Sequence, residues 1–367
     1  MHSWKIDKLQ VTNFRNLQPD VLEFSNSINC ILGENGNGKT NILEALHVLI
    51  KRKSFRKNAS FPQYLGIDGE NSEIYFSSVF KDQDENKMPC SGKLRDQSSE
   101  WYLDGKATKK KLDVGIVFIN PFDSNSFHLT PGFRRTWIDS HLSQLSGDYK
   151  KLLAQYTQML RFRNNLLGKK PNKFREQILA SDPQFIKTSI ELTNLRIEYI
   201  NQLNPLITET FFKIFSEEHE LMISLDSKVA GCNEEFLQKI LHENFEKDII
   251  IGHTSYGIHK DDYVLLFDGL NSFDYCSLGQ QKMSYLSLLF AYIELFRYKF
   301  KTFPIVLIDD VSGELDKYRW GRLVSYLESS EFQVLITTAN EEFKQELEKI
   351  KGSVRFFVSN GSTQKLS

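Results

Sequence analysis

Eight residues, GENGNGKT from Gly33 to Thr40, constrain this chain more than any other stretch. They match GxxxxGK[ST], and the flanks agree with the motif. SINCIL before it reads as a short apolar strand, and NILEALHVLI after it reads as a helix apolar on nearly all faces. In such a turn the backbone N–H groups of Gly33, Glu34, Asn35, Gly36, Asn37 and Gly38 can converge on phosphates at a helix N-terminus. Lys39 then reaches the β/γ-phosphates of ATP, and the Thr40 hydroxyl can ligate Mg²⁺. A chance Gly-rich turn explains this less well, because strand, loop, Lys-Thr pair and helix all coincide.

A phosphate loop needs a carboxylate partner. PIVLIDD, Pro304 to Asp310, is a continuous apolar run ending in two acids, as a buried parallel strand delivers carboxylates to a sheet edge. Asp309 is the expected Mg²⁺ ligand and Asp310 the catalytic group that orients or polarises water. Taken alone, a strand ending in Asp-Asp could equally be a turn. More than 260 residues separate Lys39 from Asp309, so a large insertion splits the ATPase.

The rest of the composition excludes more than it assigns. With 40% hydrophobic and 25% charged residues the chain should fold throughout its 367 residues. A net charge of -1 gives no global positive field, so nucleic-acid binding would need local patches. Four scattered cysteines without a CxxC pair argue against zinc and fit reduced thiols. No leading apolar signal region and no run of roughly 18 apolar residues is visible, so the expected location is cytoplasmic and away from membranes.

Several further motifs, in order, carry a family likeness: Asn13-Phe14-Arg15-Asn16, the GENGNGKT loop, Ser54-Phe55-Arg56, Arg134-Arg135 and Trp137-Ile138-Asp139. Arg163-Asn164 before Leu166-Leu167, Gly257, His259 to Asp262, SLGQQK and IDDVSGELD complete the series. In these the chain resembles the RecF family of recombination and gap-repair ATPases, related to SMC heads. The resemblance implies an α/β fold: a P-loop ABC-type, SMC-like ATPase head with mixed sheets, split by an α-helical arm. The implied parts are residues 1–133 with the phosphate loop, 134–248 as the arm, and 249–367 with the signature, the Asp-Asp strand and the D-loop. It also implies an ATP-dependent DNA-binding protein of recombinational gap repair and replication restart, SOS-linked, with weak DNA-stimulated ATP hydrolysis. The implied partners are DNA (single-stranded, duplex or their junction), a second copy of the chain in the ATP state, and RecR and RecO.

CSLGQQK resembles the signature motif, with Ser277, Gly279 and Gln280 as its working residues. Ser277 as N-cap, bare backbone at Gly279 and the helix dipole make an anion-binding surface. By family likeness this surface meets the γ-phosphate of another copy, so two ATP molecules would hold a twofold dimer together. Asp316 belongs to the D-loop, where Gly313 replaces the family's serine. Pro121-Phe122-Asp123 and Gly257-Ile258-His259 also depart from the family pattern. An Asp rather than a Glu at position 310, as in the family, implies slow hydrolysis.

Between Arg134 and about Asp248 the periodicity becomes helical. Ile138, Leu145, Leu152, Met159 and Leu166 recur every seven residues, with Leu142, Tyr149 and Tyr156 between them and an interruption at Gly147. A second long helix is expected to start at Ser181-Asp182-Pro183 and to carry Ile186, Ile190, Ile197 and Ile200. Two antiparallel helices would form a short arm, since too few residues remain for a long coiled coil. Lys51, Arg52, Lys53, Arg56 and Lys57 are the DNA-binding candidates. Further basic groups lie at Lys109 to Lys111, Arg134 with Arg135, Arg161 with Arg163, and Lys169 with Lys170. In HTSYGIHKDD, His253, His259, Asp261 and Asp262 could ligate a metal, although a polar turn between strands is the plainer explanation. Other functions for the head remain open: a nuclease-associated ATPase, or an antiphage or toxin DNA sensor.

Overall fold

A computed structural model describes residues 4–56, 59–66, 73–215, 218–310, 316–350 and 352–366. The chain forms two compact units. The first holds the described residues up to Asp123 and from Phe296 onward, with a short stretch at Lys213; the second holds the helical middle of the chain as far as Leu295.

The first unit is built on two sheets. In one, β3 (Ile28–Leu32), β8 (Ile116–Ile119), β12 (Ile305–Asp309), β13 (Val334–Thr338) and β14 (Val354–Ser359) run parallel in the order β14-β3-β13-β12-β8, and β15 (Ser362–Leu366) pairs antiparallel on β14. SINCIL and PIVLIDD are therefore both strands of this sheet, and β13 lies between them. β3 and β13 are buried along their whole length, which is why they read as apolar runs without alternation. The other sheet is antiparallel: β1 (Lys5–Thr12), β2 (Leu22–Glu23), β4 (Ile74–Lys81), β5 (Lys87–Leu94), β6 (Ser99–Leu103) and β7 (Lys106–Ala107), in the order β2-β1-β4-β5-β6-β7. Between the sheets lies one core, in which α1 (Lys39–Lys51) buries Ile42, Leu43, Ala45, Leu46, Val48, Leu49 and Ile50. That burial on nearly every face is what NILEALHVLI predicts.

The second unit is helical around a three-stranded sheet. α4 (Pro131–Leu145) and α5 (Gly147–Lys169) share the heptad stripe, and the break falls at Ser146, whose hydroxyl caps α5 by accepting from the Tyr149 N–H at 3.1 Å. α6 (Phe174–Ile214) runs antiparallel to α5, because Tyr149, Tyr156 and Arg163 meet Arg196, Phe185 and Asp182 in reverse order. The expected helix start at Ser181-Asp182-Pro183 is wrong. α6 begins at Phe174 and continues through Pro183 and Pro205. Buried Ile178 before Pro183 and buried Phe185 and Ile186 after it keep the helix on its apolar face despite the missing N–H.

β9 (Leu221–Asp226), β10 (Asp262–Phe267) and β11 (Leu270–Asn271) make the small sheet. The stretch before β10 follows α8 (Phe245–Ile251), so HTSYGIHKDD joins a helix to a strand rather than two strands. α10 (Leu278–Phe300) carries the apolar run after the signature, and Leu286, Leu288, Leu289 and Phe290 in it are buried. Among the described residues no helix is long and apolar enough to cross a membrane.

Candidate nucleotide site and signature helix

Register places the acidic pair. β12 and β13 pair in parallel with Asp309 beside Thr337, and β13 pairs with β3 with Thr338 beside Leu32, the last residue before the loop. The Asp309 carboxylate therefore lies where two hydroxyls reach it: Thr40 Oγ1 and Thr337 Oγ1 each donate to its Oδ1 at 2.8 Å. Burial pushes the Asp309 carboxyl above the usual range, while these hydroxyl bonds pull it back. Asp310 follows with a left-handed backbone, φ 43°, its N–H donating to Thr337 Oγ1 at 3.1 Å. The strand thus ends at Asp309, and the chain leaves the extended conformation at Asp310.

Lys39 is nearly buried, and its ammonium donates to the carbonyls of Gly33 at 2.9 Å and Glu34 at 2.8 Å. Burial lowers its pKa, and the nearby Asp310 and Asp309 oppose that. A cation held by neutral carbonyls of its own loop, close to two carboxylates, is suited to phosphate oxygens. The donor set fits the group: Lys39 with the loop N–H groups for phosphates, Thr40 and Asp309 for a hard cation that prefers oxygen. Asp309 and Asp310, expected from the sequence, are brought together with the loop. Thr337 has no such signal in the sequence, because only the pairing of β12 with β13 places it there.

The loop is also held from outside. Asn16 donates to the Gly36 carbonyl at 3.2 Å and accepts from the Asn41 amide at 2.7 Å. Gly38 needs to be glycine: its φ is 107°, and a Cβ there would come within 2.8 Å of Asn16 Oδ1. On α1 itself, the fully buried Glu44 accepts from Arg15 at 2.9 and 3.1 Å and from Ser54 at 2.6 Å, with Arg56 at 3.4 Å. A buried carboxylate needs such partners.

That network changes the reading of the basic segment. Arg56 donates to Asn41 at 2.8 Å and pairs with Glu44, so part of its charge serves the fold. Arg52 lies over the Trp101 ring at 3.6 Å and donates to the Leu49 carbonyl. Lys51 donates to the Val114 carbonyl at 3.5 Å, Lys53 is exposed, and Lys57 lies outside the described residues. Three more of the basic groups are internal. Arg134 forks onto Asp262 with both bonds at 2.7 Å, Arg135 donates to the Asp261 carbonyl at 2.8 Å, and Arg163 is buried between Asp182 and Asp248.

In the second unit Ser277 is exposed and begins α10 with a reciprocal cap. Its N–H donates to Gln280 Oε1 at 2.9 Å, and Gln280 N–H donates to its hydroxyl at 3.3 Å. A Cβ at Gly279 would find only Ser277 Oγ, at 4.0 Å. Phe273, Tyr275 and Leu278 beside it are exposed, the last two by about 70%. Asp316 caps the following α11 (Lys317–Glu328) by accepting from the Arg319 N–H at 2.9 Å, while Gly313 lies outside the described residues.

Of the metal-capable residues of HTSYGIHKDD, His259, Asp261 and Asp262 are engaged by the fold, while His253 is exposed. His259 bonds to Tyr156 at 2.8 Å and to the Thr254 carbonyl at 3.0 Å, and Asp261 accepts from the buried Arg196 at 2.8 Å. Among the described residues no group of three or more His, Cys, Asp or Glu could hold a metal ion.

Comparison with known proteins places the chain by family and by fold. The family model described as the RecF/RecN/SMC N terminal domain matches residues 5–363. A protein from Lachnoclostridium phytofermentans called DNA replication and repair protein RecF is 33% identical over 347 residues, 92% of this chain and 94% of its own. Its namesake from Staphylococcus carnosus is 29% identical over 360 residues, 94% of this chain and 96% of its own. The solved structure of the recombination mediator protein RecF-ATP in the RecFOR pathway superposes with a TM-score of 0.85 at 25% identity, covering 100% of this chain and 98% of that one. An Smc head domain from Pyrococcus furiosus, at TM-score 0.60 and 16% identity over 99% of this chain and 96% of that one, shares the fold. With a family model spanning nearly the whole chain and a full-length relative at this identity, the chain belongs to the RecF family of the RecF/RecN/SMC ATPases.

Proposed function

We propose that this chain is an ATP-switched DNA-binding protein of recombinational gap repair and replication restart. Two copies close on DNA in the ATP state, slow hydrolysis reopens them, and the mediator partners RecR and RecO help load recombinase in between. The convergence of Thr40 and Thr337 on Asp309 beside Lys39 carries the reading. It comes in a chain whose relatives along their full length are called DNA replication and repair proteins.

Each residue then has a task. Lys39 and the N–H groups of residues 33–38 bind and orient the triphosphate. Thr40 and Asp309 hold Mg²⁺, which neutralises phosphate charge when bound. Asp310 aligns the attacking water and accepts its proton. Ser277, capping its own helix through the hydroxyl while exposed to solvent, presents the first-turn N–H groups of α10 to the γ-phosphate of a second copy. The exposed Phe273, Tyr275 and Leu278 give that contact apolar area to bury.

Light scattering of three proteins tests this. Wild type should double in mass with ATP, and Lys39→Ala should bind no ATP and stay monomeric. Ser277→Arg should bind ATP yet stay monomeric. A normal ATP-dependent dimer of Ser277→Arg would remove the signature assignment.

A further inference from the structure

The phosphate loop has a neighbour from the far end of the chain. β14 and β15 form a hairpin paired down to Ser359 and Ser362, and its two turn residues, Asn360 and Gly361, have φ of 48° and 80°. Positive φ at both central residues is the Asn-Gly hairpin turn whose twist suits antiparallel strands. Its outward N–H groups do not face solvent alone. Gly361 N–H donates to the Asn37 carbonyl at 2.9 Å, and Asn360 N–H donates to Asn37 Oδ1 at 3.2 Å.

The approach is tight where the loop starts, at Gly33, and where the hairpin turn meets the N-terminal segment, at Gly361. A Cβ on Gly361 would come within 1.6 Å of the Asn16 carbonyl oxygen, and one on Gly33 within 2.4 Å of the Val358 carbonyl oxygen. Both obstacles are backbone, which cannot swing aside as a side chain can. The hairpin is itself fastened to the N-terminal segment. Gln18 N–H donates to the Gly361 carbonyl at 2.9 Å, and the Asp20 carboxylate accepts from Thr363 N–H at 2.6 Å and Ser362 Oγ at 3.0 Å. Asn37 stands at one of the unspecified positions of the motif, so its partners are not part of the motif's own chemistry.

We propose that the C-terminal hairpin is a positioning element of the nucleotide site: Asn360 and Gly361 hold Asn37, and through it the phosphate loop, in its phosphate-receiving conformation. The inference rests on the proposed binding of ATP by that loop. Residues 360 and 361 act through Asn37 and are positioning residues, not catalytic ones. Without the brace the loop samples more conformations, and the phosphate must select the competent one, which weakens apparent affinity in proportion to its population.

The test compares full-length variants by equilibrium binding of a fluorescent ATP analogue and by hydrogen exchange of residues 33–41 without nucleotide. Gly361→Ala should weaken binding by about tenfold or more and speed exchange of the loop, since a backbone clash must displace the turn. Gly105→Ala is the control: its φ of 72° carries a similar backbone penalty, but its Cβ would meet open space, and it should behave as wild type in both readouts. Asp20→Ala loosens the hairpin without touching the loop and should weaken binding several-fold, roughly 3- to 10-fold, with Asp20→Asn closer to wild type because it keeps an acceptor. Should Gly361→Ala fail to fold, the Asp20 pair decides alone. Variants at Gly361 and Asp20 that bind the analogue like wild type and leave loop exchange unchanged overturn the proposal. Wild type that binds no ATP overturns the underlying reading instead.

Discussion

Asp309 depends on its neighbours more than on its own strand. Two hydroxyls donate to the same oxygen, and one of them, Thr337, also receives the Asp310 N–H, which it shares with its own backbone carbonyl at 3.2 Å. Thr337→Val keeps the shape and removes both bonds. Asp309 should then be harder to ionise, because burial already raises its pKa and the Thr337 hydroxyl is the leading contribution that lowers it. We expect ATP turnover to fall about tenfold and half-saturating Mg²⁺ to rise, with stability reduced by about 1 kcal/mol as the hydrogen bonding goes. A Mg²⁺ titration of ATPase activity with an unchanged midpoint would show that Thr337 does not tune this carboxylate. Lys39, Thr40, Asp309 and Asp310 were legible because each is fixed by a consecutive pattern of strand, turn and helix. Thr337, Asn16 and Gly361 were not, because sheet pairing and the meeting of the chain ends bring them in, and neither has a local period.

Elements of the helical unit are joined by buried charge rather than by apolar packing alone. Arg163 on α5 meets Asp182 on α6 and Asp248 on α8, and about four turns further along α6 Arg196 binds Asp139 on α4, Asp261 before β10 and the Tyr149 hydroxyl. Removing one partner of such a group strands the others in low dielectric. Arg163→Met should therefore cost roughly 3–5 kcal/mol in a urea unfolding experiment, and adding Asp182→Asn should return part of it. A cost within about 0.5 kcal/mol would mean that the pairs contribute little, as exposed ones do. The same pairs explain what the sequence hid at this scale. The heptad stripe announced the helices correctly, but Asp182-Pro183 imitates a helix start while Asp182 is in truth the mid-helix partner of Arg163. Likewise Arg134, Arg135, Arg163, His259, Asp261 and Asp262 look like surface chemistry in a linear reading, and they are half-buried or buried in the polar contacts that join this unit.

At the scale of the whole molecule, a net charge of -1 means that the DNA binding proposed above would have to come from local patches. The described basic residues after the phosphate loop are not equal in that respect. Arg52 is spread over Trp101, Arg56 is engaged by Glu44 and Asn41, and Lys53 is the exposed member of the cluster. If this face meets the duplex backbone, Lys53→Ala should weaken DNA binding uniformly across sequences. It should also flatten the dependence of log K on log salt by about 0.9 for each phosphate that is no longer neutralised, hence about 1.8 for a symmetric dimer. Arg52→Ala should act mainly through the fold, since it removes a cation–π interaction worth about 1–2 kcal/mol when partly buried, and so should lower the melting temperature more than the salt slope. Fluorescence anisotropy of a duplex in the presence of ATP, across roughly 50 to 200 mM salt, separates the two effects. An unchanged slope for Lys53→Ala would move the DNA-binding face off this segment.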